Sequence, residues 1–484
     1  MDSPPTPTGP RTSLPLTTAP ASTKTNQTFQ LAPTLIVGSA ACAVLIGPIP
    51  VALLGAIVYV AVSARWPRGA VIAVILSLPT VSLMRLIGRL DFSPTEILIV
   101  LSAAAAAVRT VWDFVRLYGV RSTRRYVPEM IKFLTATGDP AVTVLATLVV
   151  LAAAISLTTS IAPHQSLQSF RVVILEPTVF FGLIVTQLRG RRDAQLLALA
   201  LIVAGAGIAA FGLWQYVTGD RIITAEAGLR RIRGFYGSPN NLGLFLGRSL
   251  PVAVAGALWW PGRRVWLVVA ALLCTVGLVL TFSVGAWVAV ALSLLLVAWL
   301  HGGRTFRTAL GVLTVGAIGS MALAVSIPRL GSHFDLSSGT SSIRIYVWQS
   351  ALRMLADHPM RGIGLDNFLS YYQGGYRLPA AWQDPSLSHP HNVVLDFWLS
   401  LGLIGPVLLG CLIVRFCQLV RQGWRRADQI ERGLYAGVTG AMADTMIHGM
   451  VDNSFFLPDL AVLFWLLFAI VCVARTQDRL PLTG

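Results

Sequence analysis

One histidine and a group of arginines carry the chemistry this sequence could do. His391 stands in the run Ser388-His389-Pro390-His391-Asn392, directly before an apolar stretch. A histidine, the side chain whose unperturbed pKa of about 6.5 lies nearest neutrality, can take a proton from a hydroxyl as the oxygen attacks, an effect worth roughly 10²- to 10⁴-fold. Upstream, Arg221, Arg230, Arg231 and Arg233 crowd one short connection, and the chain runs on as Gly234-Phe235-Tyr236-Gly237-Ser238-Pro239-Asn240-Asn241 into the next apolar run. Arginine forks match the oxygens of a phosphate, and the turn residues bring a helix N-terminus close to them. The plainer reading of these arginines is a tolerated local breach of charge sorting. Arg248 lies about two turns inside the following run, where a charge is functional by default.

A sixth arginine belongs to the stretch before His391. From Ser341 or Ser342, Ile343, Val347, Ala351 and Met354 recur at helical spacing and predict an amphipathic helix on the outer membrane surface, ending near His358-Pro359. Arg344 opens that helix, and Arg353 sits about half a turn out of phase with it, so a straight helix can aim only one of them at a site; Arg344 is the choice. Asn392 and Asp396 share a helix face, where they orient His391 or an acceptor, or simply cap. His389 and His391 are two imidazoles without a third ligand, so no metal is expected. Asp444, His448 and Asp452, with Asn453 at the end, form a polar stripe that reads either as a network supporting the site or as an ion path. Arg171 and Glu176, at another helix end, pair with one another or with that stripe.

The elements that position these residues are membrane helices. Of 484 residues, 55% are hydrophobic and 12% charged, and the mean hydropathy is +0.70, far too apolar for a soluble protein. The expected fold is an all-α polytopic membrane protein with about 12–14 transmembrane helices and a large extracytoplasmic loop containing amphipathic helices. Residues 1–30, rich in Pro, Thr and Ser, read as a disordered cytoplasmic tail; 31–475 as a single transmembrane domain; and 476–484 as a short cytoplasmic tail. The net charge of +16 is no sign of nucleic acid, because the arginines fall in short connections between apolar runs. With alternating runs, Arg65–Arg68, Arg116–Lys132, Arg189–Arg192, Arg263–Arg264, Arg304–Arg307 and Arg421–Arg432 all reach one side, which makes that side cytoplasmic and puts both termini there. Loops 216–240 and 328–392 then lie outside. The five cysteines are odd in number, lack close pairing and indicate neither disulfide framework nor zinc site.

One further pattern is more specific. His391-Asn392, nine residues, then Gly402-Leu403-Ile404-Gly405 resembles the H-N-x9-G-x-x-G signature of the O-antigen ligase and O-antigen polymerase superfamily. Ser342-Ile343-Arg344, Trp348, Ala351-Leu352, His358-Pro359, Gly362-Ile363-Gly364 and Asn367-Phe368 are similar to that family too, as is the stretch from Arg233 to Asn240. The likeness spans roughly residues 140–475, with a ligase-like core at about 190–415.

The resemblance implies a GT-C type glycosyltransferase of the bacterial plasma membrane, inverting, independent of metal and without a cofactor. It would move a glycan from undecaprenyl diphosphate to an acceptor hydroxyl on a lipid or glycan at the outer face, among membrane lipids. Carried onto this chain, His391 is the catalytic base. Arg233 and Arg344, with Arg248 as a third contact, bind the diphosphate, and Asn392, Asp396, Asn240 and Asp452 support them. Ligase and polymerase share these motifs. A secondary transporter is the competing class, motivated by the number of spans and the Asp444 stripe; such a protein places its decisive polar groups near the midplane and often repeats its halves, and no repeat is evident. Neither the glycan, the acceptor, the envelope type nor the oligomeric state is written in the sequence.

Overall fold

The computed structural model describes residues 25–87, 90–118, 139–224, 230–326, 340–381 and 386–476. The N-terminal tail up to residue 24, Arg121, Arg124, Arg125, Lys132, the loop up to residue 339, Trp382 and the tail from 477 lie outside these. Among the described residues the chain is almost wholly helical, and nine helices are long and apolar enough to cross a membrane, with three shorter apolar ones before them. It is an all-α, multi-pass membrane protein.

In chain order the long helices are α1 (Thr25–Ile46), α2 (Ile49–Arg65), α3 (Pro67–Ser77), α4 (Pro94–Tyr118), α5 (Pro140–Ser156), α6 (Pro163–Gln187), α7 (Gly190–Thr218), α8 (Pro239–Trp259), α9 (Arg264–Leu280), α10 (Val284–His301), α11 (Gly303–Ser326), α12 (Thr340–Asp357), α13 (Val393–Leu401), α14 (Ile404–Trp424), α15 (Gln429–Gly449) and α16 (Pro458–Arg475). Proline opens many of them, at the position where a missing N–H costs nothing. Within α6, Pro177 cannot donate to the preceding turn, and the residues just before it, Phe170–Leu175, widen into a π-helical segment. Two short antiparallel ribbons lie between helices: Arg85–Ile87 with Leu90–Phe92, and Ile223–Thr224 with Arg230–Arg231.

Helices α8 and α16 form the centre. Nearly every residue of both is buried, whereas α5, α9 and α10 turn much of their surface outward. A helix apolar on all sides belongs inside, and α16 packs on α6, α7 and α14 while α8 packs on α15.

Charged contacts define the two ends of the bundle. At one end Arg68 reaches Asp193 at 2.6 Å, Arg191 meets Asp428, Arg415 meets Asp139 at 3.0 Å, and the Trp260 indole donates to Ile430 O at 2.9 Å. The connections after α2, α6, α8 and α14, to which the sequence assigns four of its arginine clusters, thus meet. At the other end Arg171 pairs with Glu96 at 2.8 Å and lies 3.9 Å from Glu176, so it joins its own helix and α4 rather than the Asp444 stripe.

The candidate residues sit at this second end, beneath a small cap. Helix α12 starts at Thr340 and buries Val347, Ala351 and Met354, as its spacing predicts, but against Ile363, Phe368, Tyr372 and Leu399. Its apolar stripe is therefore taken up by protein rather than by lipid. The apolar run over 393–414 is broken into α13 and α14. Gly402 ends α13 at φ +74°, its N–H donating to Trp398 O, and a side chain there would strike Met360 O. Gly362, at φ +65°, faces Leu399 O just as closely. Two backbone bonds, Ile363 N to Leu399 O at 2.8 Å and Leu403 N to Met360 O at 3.1 Å, close this interlock. The glycines permit a contact between main chains that any Cβ would prevent. Asn367 completes the frame: buried, it accepts from Ser160, Ile161 N and Ala162 N and donates to Ser166 and Leu365 O, which fixes the start of α6 under the cap.

Candidate functional site

Asn392 decides where His391 goes. Its side-chain oxygen caps α13 by accepting from Val394 N and Leu395 N, both at 3.1 Å, and its amide donates to Met450 O at 3.1 Å. His391, one residue earlier, is left in the left-handed region at φ 52°. A non-glycine residue there is strained and is held only by its surroundings. Those surroundings include Asp452, whose Oδ1 lies 2.8 Å from His391 Nδ1, and the Trp348 indole, which reaches His391 O at 3.4 Å.

The protonation of this pair follows from its environment. Burial alone would raise the pKa of Asp452, but the hydrogen bond from His391 and the positive charge of Arg344 outweigh it and hold the carboxyl below its usual range. An ionised carboxylate only accepts, so His391 Nδ1 carries the proton and Nε2 presents its lone pair. Asn453 N–H also binds Oδ1, at 2.9 Å. A histidine fixed in this tautomer by a buried carboxylate, yet one-quarter exposed, has a ring nitrogen that can accept a proton from outside.

Arg344 lies on the other oxygen of the same carboxylate, Nη2 to Oδ2 at 3.6 Å. That is looser than the roughly 2.7–2.9 Å of a good charge-assisted bond. Its guanidinium is therefore anchored electrostatically beside His391 while keeping N–H groups for a ligand.

The four arginines of the 216–240 loop differ sharply. Arg231 is tied to Thr281 O at 2.7 Å and to Asn240 Oδ1 at 3.0 Å, which uses the Asn240 oxygen. Arg230 donates to Tyr216 O and stacks over its ring. Arg221, itself at φ 51°, lies 3.9 Å from Asp220. Arg233 makes one bond among the described residues, Nε to Arg221 O at 3.1 Å, and keeps its outer nitrogens open. The backbone that follows Arg233 is pinned, because Gln215 clamps Gly234 through both its amide atoms, at 2.9 and 3.0 Å, and Tyr236 donates to Asp459 at 3.0 Å.

Arg248 does not join them. It is 1% exposed, donates to Leu244 O and to Ser454 O, and lies 3.7 Å from Asp444. The physical reason is its depth: in a buried stretch of α8, a guanidinium needs a counter-charge and carbonyls at once, and α15 and the 450–457 turn supply both. The expected third anion contact is thus turned inward, away from any open face.

The anchors of Asn392, His391 with Arg344, Arg248 and Tyr236 converge on the residues from Met450 to Asp459. Helix α15 stops at Gly449, so Asp452 leaves the stripe it shares with Asp444 and His448 in a continuous helix and swings under His391. Met450 O holds Asn392, Asp452 holds His391 and Arg344, Ser454 O holds Arg248, and Asp459 holds Tyr236.

Residues 249–410 match the O-antigen ligase family. The chain carries an O-antigen ligase domain. The match covers about a third of the chain and likens it to membrane proteins of the O-antigen ligase and polymerase type; no curated protein matches it in sequence. The ligase domain contains Arg344, His389, His391, Asn392 and Asp396; Arg233, Arg248 and Asp452 lie outside its limits.

Within the ligase domain a second histidine–aspartate pair lies beside the first. His389 Nδ1 is 3.3 Å from Asp396 Oδ2, and Asp396 also accepts from Ser400 at 3.4 Å. Burial pulls the His389 pKa down, but Asp396, with Asp366 and Asp452 behind it, outweighs this and raises it. Asp396 therefore holds His389, not His391. Among the described residues no three His, Cys, Asp or Glu side chains converge as metal ligands. Sequence reasoning missed Gln215, Tyr236 and Asp459. Asp459, an acid directly after Pro458 at the head of an otherwise apolar run, was the available signal.

Proposed function

We propose that this protein is an O-antigen ligase-like glycosyltransferase that moves a glycan from undecaprenyl diphosphate to an acceptor hydroxyl at the extracytoplasmic face of the membrane, without a metal and with inversion. The observation that carries this reading is the buried Asp452 carboxylate shared by His391 at 2.8 Å and Arg344 at 3.6 Å. It sets a base and an anion ligand side by side. In the reaction the acceptor oxygen attacks the anomeric carbon as its proton passes to His391 Nε2. The bond from that carbon to the diphosphate oxygen breaks, and its electron pair leaves with the lipid diphosphate. Arg344 and Arg233 neutralise the charge that develops there. One in-line displacement inverts the anomeric centre. Asp452 keeps the imidazole in the competent tautomer, Asn392 holds the histidine's backbone, Asp396 and His389 brace the same turn, and Asn240 and Arg248 support the two arms from beneath.

Transfer of radiolabelled glycan from undecaprenyl diphosphate by purified protein, with EDTA present, tests the reading. Wild type is active, and His391→Ala, Arg233→Ala and Arg344→Ala are folded but inactive; wild-type activity in His391→Ala overturns the assignment. Ligase and polymerase separate in the same assay, since repeated elongation without a second acceptor marks a polymerase. The transporter reading rests on Asp444 and His448, buried in α15 without hydrogen-bond partners among the described residues. Solute uptake by vesicles that survives His391→Ala and fails in Asp444→Ala would favour it.

A further inference from the structure

The opposite end of the bundle holds an unassigned cavity of about 670 Å³, within the usual size of a ligand site of roughly 300–1,000 Å³. Arg191, Arg425, Arg426 and Arg475 line it together with a single carboxylate, Glu431, and the ring of Tyr435. The carboxylate is already engaged, for Glu431 caps α15 by accepting from Asp428 N at 3.0 Å. Arg191 meets Asp428, and Arg475 donates to Gln422 at 2.7 Å and lies 3.7 Å from Asp139. Arg425 and Arg426, exposed on the turn between α14 and α15, have no side-chain partner among the described residues. Arg191 and Arg475 are balanced by Asp428 and Asp139 and Glu431 is occupied, so Arg425 and Arg426 supply the uncompensated positive charge of a concave site between helix ends. Next in sequence to the lining residues Gly423 and Arg425 is an interfacial marker: Trp424 closes α14, with Arg432 over its ring at 5.9 Å.

We infer that this cavity binds a phosphate-bearing anion, the headgroup of an anionic phospholipid or a soluble phosphate. Arg425 and Arg426 are the donors that close on it, and Arg191 and Arg475 form its preset floor. Basic pockets between membrane helices recognise such headgroups by charge and by forked hydrogen bonds to the phosphate oxygens. The site lies at the end of the molecule away from His391, so the inference stands apart from the transferase reading.

Native mass spectrometry of the full-length protein in an uncharged detergent tests it, with separate titrations of phosphatidylglycerol, phosphatidylcholine and inorganic phosphate. Phosphatidylglycerol should bind at least about tenfold more tightly than phosphatidylcholine. The double change Arg425→Ala with Arg426→Ala should abolish that preference, Arg425→Lys with Arg426→Lys should keep most of it, and Arg353→Ala, at the far end, should leave it unchanged. Phosphate binding that vanishes in the alanine pair without any lipid preference identifies a soluble phosphate as the ligand. Anion binding that is equal in wild type and in the alanine pair, with unchanged thermal melting, overturns the inference.

Discussion

Two histidine–aspartate pairs stand two residues apart, and they are built for different ends. In the His391–Asp452 pair the histidine is strained and one-quarter exposed, and its carboxylate is reached across the fold by Arg344. In the His389–Asp396 pair the partners belong to the same loop and the helix that follows it, and among the described residues no arginine or lysine shares the carboxylate. Residue type is the same in both. What separates them is the source of the acid: a long-range partner fixes a tautomer while leaving the other nitrogen free, whereas a local partner only secures a turn.

Breaking each pair sharpens that contrast. His391→Ala should lower glycan transfer by roughly 10²- to 10⁴-fold or more at an unchanged melting temperature, while His389→Ala should cost activity less than about tenfold. Equal losses would erase the distinction. Asp452→Asn should also be severe, since an amide can donate to Nδ1 and select the wrong tautomer; changes of that kind cost ~10⁴-fold in a serine-protease triad. The drop should fall on kcat more than on KM.

Arg344→Lys should come next, at about 10- to 10²-fold, because a lysine keeps the charge but cannot span carboxylate and phosphate as a fork does. Its imprint should be a raised KM for the lipid diphosphate donor, measured with the acceptor saturating.

The second pair should show itself in stability and in pH. His389 has a folded-state pKa raised above 6.5, so its contribution is complete below the unfolded value and is lost as pH rises through the folded one. Asp396→Asn should therefore lower stability by roughly 1–3 kcal/mol at acid pH, and the gap from wild type should narrow as the buffer becomes alkaline. Thermal melting across pH 5.5–8.5 in ~0.5-unit steps reads this directly; a gap that widens with pH contradicts the assignment. The smallest effect belongs to Asn392→Ala, about 1 kcal/mol from the lost helix cap, with a modest loss of activity as the turn under His391 loosens.

Much of this architecture is legible in the chain. Apolar runs locate the helices, and four of the arginine clusters meet at one end, because hydropathy and charge sorting act locally. The break at Gly402 escapes a hydropathy reading, since residues on both sides are apolar and only the approach of Met360 forces the kink. Asp452 appears on a helical stripe because four-residue spacing continues past the end of α15, and nothing local announces that the helix stops at Gly449. Arg248 shows its charge but not its partner, because Asp444 reaches it from another helix. Tyr236 and Asp459 are 223 residues apart, a contact no periodicity encodes.

The turn from Met450 to Asp459 has a practical consequence for anyone who would transplant this activity. A fragment cut at residue 410, where the family likeness ends, would keep Arg344 and His391 yet forfeit the acid beneath them, the carbonyl that steadies Asn392 and the anchor of the arginine loop. The inheritable domain and the working machine have different borders, and chimeras between relatives should be joined beyond α16 rather than after α14.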